Sequence, residues 1–157
     1  MPNNAQNDMI YDIIMNGPKL NQDVTLYRGL MIPNFKVEDL KIQNPKLKTK
    51  FVSFSFWENI AADFAYAFNK NQSIILKVNY PKEFPCLWID RLNYFGEQEA
   101  LVPIFEYEIV DVKIDKILFD PSMNSPSDHD FTKAGYEAEF TIVTIKPIKL
   151  INHNINV

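Results

Sequence analysis

The stretch FVSFSF, residues 51–56, decides the fold, because its polar and apolar side chains alternate strictly. Such alternation predicts a β-strand with two different faces. Ser53 and Ser55 share one face with Phe51, and the other face is entirely apolar. Two hydroxyl groups on one face need hydrogen-bond partners if that face is buried. These residues alone do not decide whether the face with the two serines is buried or meets water.

The segments on either side of this strand predict an α+β domain. An alanine-rich amphipathic helix is expected directly after it, at residues 57–69, and another helix at residues 6–16. Further strands are expected at residues 24–30, 73–80, 86–89, 97–105, 105–119 and 136–148, and a short helix at residues 37–44. Helices and strands do not alternate regularly, which argues against a doubly wound parallel sheet.

The bulk properties exclude several classes of function. A chain of 157 residues with 46% hydrophobic residues fits one globular domain, residues 1–157. The net charge of -4 and the lack of a Lys/Arg run argue against a nucleic-acid partner. One cysteine, Cys86, permits no internal disulfide, and His129 and His153 lack neighbours at metal-ligand spacing, so we expect no metal.

The apolar runs of the sequence are too short to cross a membrane, so we expect no membrane partner. The first residues lack a basic start followed by an apolar core, and we therefore expect no secretory signal peptide. The expected place of action is the cytosol, including that of a host cell for an effector, phage or virus protein.

Two acidic residues stand in YFGEQEAL, residues 94–101, just before an apolar run. In a regular strand Glu97 and Glu99 would share a face, roughly 6.5–7 Å apart along the chain. Carboxylates this close repel each other unless solvent or a cation screens them. Taken alone, the pair is better explained by an exposed edge strand with two solvated acids, because a Glu-x-Glu pair occurs very often by chance.

Arg28 lies in LYRGL, at the end of an expected strand and before Gly29. Its planar guanidinium offers two parallel N–H donors to a phosphate or a carboxylate. For this residue taken alone, a surface arginine that pairs with an acid is the preferred explanation.

In their order along the chain, Arg28, the Ser53-x-Ser55 pair and the Glu97-x-Glu99 pair resemble the mono-ADP-ribosyltransferases of the R-S-E class. The segments around them are similar to the catalytic component of clostridial binary toxins and its insecticidal relatives. These segments are LYRGL, FVSFSF, AFNKNQSIILKVNYPK, YFGEQEALVP and FEYEIVDVKID. One departure is Phe54, which stands where the family has the middle threonine of Ser-Thr-Ser.

The resemblance covers residues 24–118 and implies the α+β fold of that family: two packed antiparallel β-sheets with flanking helices and NAD in the cleft between them. Residues 1–23 would form a short N-terminal helical segment, and residues 119–157 a loop and a C-terminal strand. The implied partners are NAD as co-substrate and an acceptor protein of unknown identity. An accessory or inhibitor protein stays open.

The resemblance also implies roles for the motif positions of this chain. Arg28 and Gly29 would belong to the NAD site, with Arg28 on the pyrophosphate. Ser53 would hydrogen-bond Glu99, and Ser55 would support the site from the same face. Glu99 would bind the 2′-hydroxyl of the nicotinamide ribose and stabilise positive charge on the sugar.

Glu97 would receive the acceptor, and a glutamate at this position accompanies arginine as the target in the family. A carboxylate suits that task because it pairs with a guanidinium and takes its proton. Tyr94 and Phe95 would contact the acceptor, and Phe68 would stack on the nicotinamide. Phe64 and Tyr66 compete with Phe68 for that role, and helix core is the other explanation of Phe68.

Three other functions remain as alternatives. A glycoside hydrolase with two carboxylates is disfavoured by their i, i+2 placement on one strand and by the small chain. A catalytically dead binding module of the same fold is disfavoured because the arginine, both serines and both glutamates are all present. An NAD glycohydrolase or a self-modifying enzyme is compatible with every motif.

Overall fold

The computed structural model of the chain describes residues 4–40, 42, 50–66, 72–90, 98–119 and 136–151. The helices are α1 (Asn4–Asn16) and α2 (Glu58–Ala65), with a 3-10 turn at Val37–Asp39. The strands are β1 (Val24–Met31), β2 (Phe51–Ser55), β3 (Ser73–Tyr80), β4 (Leu87–Asp90), β5 (Gln98–Pro103), β6 (Phe105–Phe119) and β7 (Tyr136–Leu150). Neither described helix is long and apolar enough to span a membrane.

The seven strands form one sheet in the order β4-β5-β2-β1-β3-β7-β6. This confirms the α+β class, but two details of the predicted sheets are wrong. The strands form one sheet and not two, because the pair of Tyr27 on β1 with Ser55 on β2 joins β4-β5-β2 to β1-β3-β7-β6. The sheet is also mixed, since β3 and β7 run parallel. Alternation of side chains shows that a strand has two faces, but it does not encode which strand lies beside it or in which direction.

The sheet curves around one apolar core, so the expected packing of strands on strands is present within a single sheet. Buried side chains of this core come from β2 and β5 and also from β3 and β7. In the strand order, β1 separates these two pairs of strands. The rings of Phe54 on β2 and Phe105 on β6 stack with their centres 6.5 Å apart. A second apolar cluster joins α2 to the opposite face of β3 and β7.

Helix α2 packs so closely on β1 that Gly29 has a structural reason to be glycine. A Cβ at this position would overlap the backbone carbonyl oxygen of Ala61. Three small residues of the helix, Ala61, Ala62 and Ala65, are fully buried on this side. The close approach brings the helix to the edge of the site described below.

Helix α2 ends at Ala65, earlier than the predicted end at residue 69. The backbone of Tyr66 is extended, with φ -67° and ψ 119°. Its ring lies 5.3 Å from that of Phe119 and 6.4 Å from that of Phe140, measured between centres. These ring contacts are made with distant parts of the chain. The periodicity of the helical sequence therefore does not predict where the helix ends. Within the predicted short helix at residues 37–44, the structure describes residues 37–40 and 42, and it shows one 3-10 turn at Val37–Asp39 followed by an extended Leu40.

Candidate active site

A cavity of about 540 Å³ opens between β1, β2 and helix α2. This volume lies within the range of small-molecule sites, roughly 300–1,000 Å³. Its walls contain polar groups from three strands and apolar groups from the helix. The lining residues are Tyr27, Arg28, Gly29, Leu30, Met31, Ser53, Phe54, Ser55, Ile60, Ala61, Phe64 and Glu99.

Arg28 is the cation of this cavity. Its Nη1 donates a hydrogen bond to the backbone carbonyl oxygen of Ser53 at 2.7 Å. This bond uses one of five guanidinium N–H donors, and the buried Nε has no partner among the residues that the structure describes. Burial lowers the pKa of the guanidinium from its usual value, but an arginine remains charged at neutral pH. The site therefore holds a half-buried positive charge suited to an anionic ligand.

Ser53 links the arginine to the glutamate. Its Oγ donates a hydrogen bond to Oε1 of Glu99 at 2.7 Å, while its carbonyl oxygen accepts from Arg28. A hydrogen bond to a carboxylate is stronger than one between neutral groups. One residue of β2 thus orients the guanidinium and the carboxylate at the same time.

The sheet fixes the position of Glu99 from both sides. The residue lies in β5, opposite Ser55 on β2 and opposite Ile89 on β4. Residues opposite each other in a sheet point to the same face, so Glu99 and both serines face the cavity together. Because Glu99 is only half-buried, its carboxylate is accessible to a ligand as well as to Ser53.

Ser55 supports the helix that forms the apolar wall. Its Oγ accepts a hydrogen bond from the backbone N–H of Trp57, the residue that caps α2, at 3.0 Å. This bond satisfies one donor at the start of the helix. Ser55 therefore has a structural task, which is compatible with the supporting role predicted for it.

The structure brings five of the predicted site residues to one cavity: Arg28, Gly29, Ser53, Ser55 and Glu99. The other four predicted residues, Phe68, Tyr94, Phe95 and Glu97, lie outside the residues that the structure describes. The sequence left open whether the face with Ser53 and Ser55 is buried or meets water. In the structure this face is half-buried and lines the cavity.

Several lining residues were missed by sequence reasoning. Ile60 and Ala61 line the cavity from α2, and their spacing of one helical turn from Phe64 was the available signal. Phe64 itself, which was named as a competitor of Phe68 for the nicotinamide ring, also lines the cavity. Tyr27 also lines the cavity and was considered only as part of the segment LYRGL. Burial raises the pKa of its hydroxyl, and the charge of Glu58 in the first turn of α2 adds to that effect. Among the residues described, no three His, Cys, Asp or Glu side chains are grouped so as to hold a metal ion.

Neither a protein-family model nor a curated protein sequence matches this chain. Solved structures do match it. The chain is similar to Plx2a, an ADP-ribosyltransferase toxin from Paenibacillus larvae, with a TM-score of 0.56 and 16% identity over 92% of this chain and 70% of Plx2a. It is also similar to the ADP-ribosyltransferase C3larvin toxin from the same organism, with a TM-score of 0.51 and 17% identity over 91% of this chain and 70% of that toxin.

A third similar structure is the enzymatic component C2-I of the C2 toxin from Clostridium botulinum. The TM-score is 0.54 at 17% identity, over 97% of this chain but only 38% of C2-I. These likenesses show that the chain has the fold of the ADP-ribosyltransferase toxins. The resemblance inferred from residues 24–118 is confirmed at the level of fold.

Proposed function

We propose that this chain is an NAD-dependent mono-ADP-ribosyltransferase that moves ADP-ribose from NAD to an arginine of an acceptor protein. One observation carries the proposal: Arg28, Ser53 and Glu99 are joined by two hydrogen bonds of 2.7 Å at the wall of one cavity. The fold shared with ADP-ribosyltransferase toxins, at 16–17% identity, supports the same function without identifying the acceptor.

NAD, the donor of ADP-ribose, would bind through its pyrophosphate. The pyrophosphate of NAD carries negative charge, and the Arg28 guanidinium offers it a planar pair of donors. Because Arg28 is already oriented by the Ser53 carbonyl, it loses little further freedom when the ligand binds. The exposed apolar side chain of Phe64 gives the cavity a surface for a flat ring.

Glu99 would act on the bond that breaks. The C–N bond between ribose and nicotinamide cleaves with its electron pair going to nicotinamide, and positive charge develops on the sugar. A carboxylate held in place before the reaction stabilises that charge, because it needs no reorganisation when the charge appears. The Ser53 hydroxyl supplies this orientation through its bond to Oε1.

The acceptor nitrogen would then form a bond to C1 of the ribose and lose a proton. We assign that proton to Glu97, two residues before Glu99 in the sequence. A second carboxylate at this position pairs with a guanidinium and orients it for attack. This assignment is the basis for proposing arginine as the acceptor.

Hydrolysis of NAD is the second candidate function. Arg28, Ser53 and Glu99 all serve the NAD half of the reaction, and water can take the place of the acceptor. Glu97→Ala separates the two functions. Transfer predicts that this variant retains nicotinamide release but loses modification of protein, whereas a hydrolase retains all of its activity.

The test of transfer uses NAD labelled on its adenine, a lysate as acceptor source, and detection of the label on protein. The chain contains two arginines, Arg28 and Arg91, so self-modification is easily controlled with Arg91→Lys. Label on lysate proteins at arginine, lost in Glu97→Ala and retained in Arg91→Lys, is the expected result. Label confined to the chain itself and abolished in Arg91→Lys would contradict transfer to a separate protein. Glu106→Gln, at an exposed glutamate on β6, is the matched control.

A further inference from the structure

The start of helix α2 lies beside the end of the cavity that contains Glu99. Ser55 is opposite Tyr27 on β1 and opposite Glu99 on β5, so these three residues form one row across the sheet. Burial raises the pKa of the Tyr27 hydroxyl, and the charge of Glu58, the first residue of α2, raises it further. The first turn of the helix is therefore close to this row.

The helix continues from this row over Gly29. A Cβ on Gly29 would overlap the carbonyl oxygen of Ala61 and lie 3.0 Å from the backbone nitrogen of Ala65, the last residue of the helix. Gly29 follows Tyr27 by two residues along β1, so the helix and the strand proceed in the same direction. The end of α2 therefore lies towards the end of β1, away from Glu99.

Met31 and Phe64 belong to this far end of the cavity. Both line the cavity; Met31 is the last residue of β1, and Phe64 is the last but one of α2. Because a strand rises about 3.3 Å per residue, Met31 lies roughly 13 Å along β1 from Tyr27. Arg28 follows Tyr27 directly and lies between the two ends.

The far end is apolar and open to a ligand. Met31 is 59% exposed and Phe64 is 45% exposed. Neither side chain takes part in the two apolar clusters that the described residues form. Aromatic rings stack on each other, and a thioether sulfur packs favourably against a ring. A methionine and a phenylalanine at the end of one cavity therefore suit a flat aromatic ligand.

We propose that Phe64 and Met31 hold the adenine ring of NAD. Their role rests on the proposed function, in which Glu99 binds the nicotinamide ribose and Arg28 binds the pyrophosphate. The two halves of NAD are joined through that pyrophosphate. When the nicotinamide ribose lies at Glu99, the adenosine half must continue past Arg28. The cavity continues in that direction to Met31 and Phe64.

The same geometry argues against Phe64 as the residue that stacks on nicotinamide. The nicotinamide ring is bonded to the sugar carbon whose charge Glu99 would stabilise, so this ring must lie close to that carboxylate. Phe64 comes six residues after Glu58, which places it about 9 Å further along the helix axis. Phe64 therefore lies on the adenine side of Arg28.

Calorimetric titration with two fragments of NAD tests the proposal without any turnover. ADP contains the adenosine half with a pyrophosphate, and nicotinamide mononucleotide contains the other half. Phe64→Ala should raise the Kd of ADP at least about fivefold, the lower limit for a base stacked on an aromatic side chain. Met31→Ala should raise it about twofold to tenfold, through the lost contact of sulfur with the ring. Both variants should leave the Kd of nicotinamide mononucleotide within about twofold.

Met9→Ala is the matched control, since Met9 lies on α1 and is 63% exposed, and it should leave both Kd values unchanged. Because Phe64 and Met31 are exposed, their variants should melt like the wild type in circular dichroism. A Kd of nicotinamide mononucleotide that rises alone, or as much as that of ADP, would overturn the proposal. So would an unchanged Kd of ADP in both variants, or a wild-type chain that does not bind ADP at about 5 mM.

Failure of the proposed function gives a different result. A chain whose ADP binding depends on Phe64, but which releases no nicotinamide from NAD with or without lysate, retains the adenine site and loses the proposed reaction. Conversely, nicotinamide release with the same KM for NAD in Phe64→Ala as in the wild type retains the reaction and contradicts the adenine site.

Discussion

Replacing Ser53 by alanine removes one hydrogen bond from the candidate active site and leaves the others in place. The Oγ of Ser53 donates to Oε1 of Glu99 at 2.7 Å, whereas Arg28 is held by the backbone carbonyl of the same residue. Alanine keeps that carbonyl, so Ser53→Ala should leave the guanidinium oriented. The change therefore isolates the orientation of the Glu99 carboxylate.

The size of the effect follows from the kind of bond that is lost. A hydrogen bond to a charged group contributes about 1.5–3 kcal/mol. If Glu99 stabilises the charge that develops as nicotinamide leaves, the whole of this free energy is lost in the transition state. We expect kcat for nicotinamide release to fall roughly 10- to 150-fold in Ser53→Ala. The KM for NAD should stay within about twofold, because the Arg28 contact is retained.

Steady-state release of nicotinamide from NAD measures both parameters. Ser53→Thr keeps a hydroxyl and suits a strand, so it should recover most of kcat. Ser55→Ala is the matched control, because its hydroxyl accepts from the Trp57 N–H at the start of α2. That variant should lose stability, by about 0.5–1.5 kcal/mol, with little change in kcat. Full kcat in Ser53→Ala would refute the claim that this hydroxyl orients Glu99 for catalysis.

Three further changes test other parts of the structure. Arg28→Lys should raise the KM for NAD at least about tenfold in the nicotinamide assay, since an ammonium group replaces a planar pair of donors; an unchanged KM would remove Arg28 from the donor site. Gly29→Ala should lower the free energy of unfolding, measured in urea, by about 1–3 kcal/mol or more, because its Cβ would overlap the Ala61 carbonyl and push α2 away; wild-type stability would contradict this packing. Burial raises the pKa of the Cys86 thiol from 9.0 to about 11, so the folded protein keeps a proton that the unfolded chain loses near pH 9. That contribution to stability is complete below pH 9 and is lost as pH rises towards 11. The urea midpoint should therefore fall less over this pH range in Cys86→Ala than in the wild-type protein. Equal falls in both proteins would exclude Cys86 as the source of the pH dependence.

Much of the fold could be predicted because local periodicity determines it. Strand β3 occupies Ser73–Tyr80 and β6 occupies Phe105–Phe119, and both ranges are those predicted from the apolar pattern. The two faces of β2 are also as expected, with Val52 and Phe54 buried and the serines half-buried. The parallel pairing of β3 with β7 was not predictable, because it joins strands about 70 residues apart that carry no marker of direction.

The candidate site, like the fold, was predictable only in part. The motif spacing identified Arg28, both serines and Glu99, and all of them reach one cavity. The bond from Arg28 to the Ser53 carbonyl could not be anticipated, since every residue offers a backbone oxygen and the sequence does not say which one is used. The wall formed by Ile60 and Phe64 depends on how closely α2 approaches β1, and Gly29 allows that approach because it has no Cβ.

The most direct test of the proposed function is nicotinamide release from NAD by the purified chain and by Glu99→Gln. This substitution keeps the shape of the side chain and removes its charge, so the cavity wall is conserved. The proposal predicts release by the wild-type chain and a loss of at least about a thousandfold in the variant, as expected for a group that stabilises developing charge. Equal release by both proteins, or none by the wild type with or without lysate, would contradict an ADP-ribosyltransferase centred on Glu99.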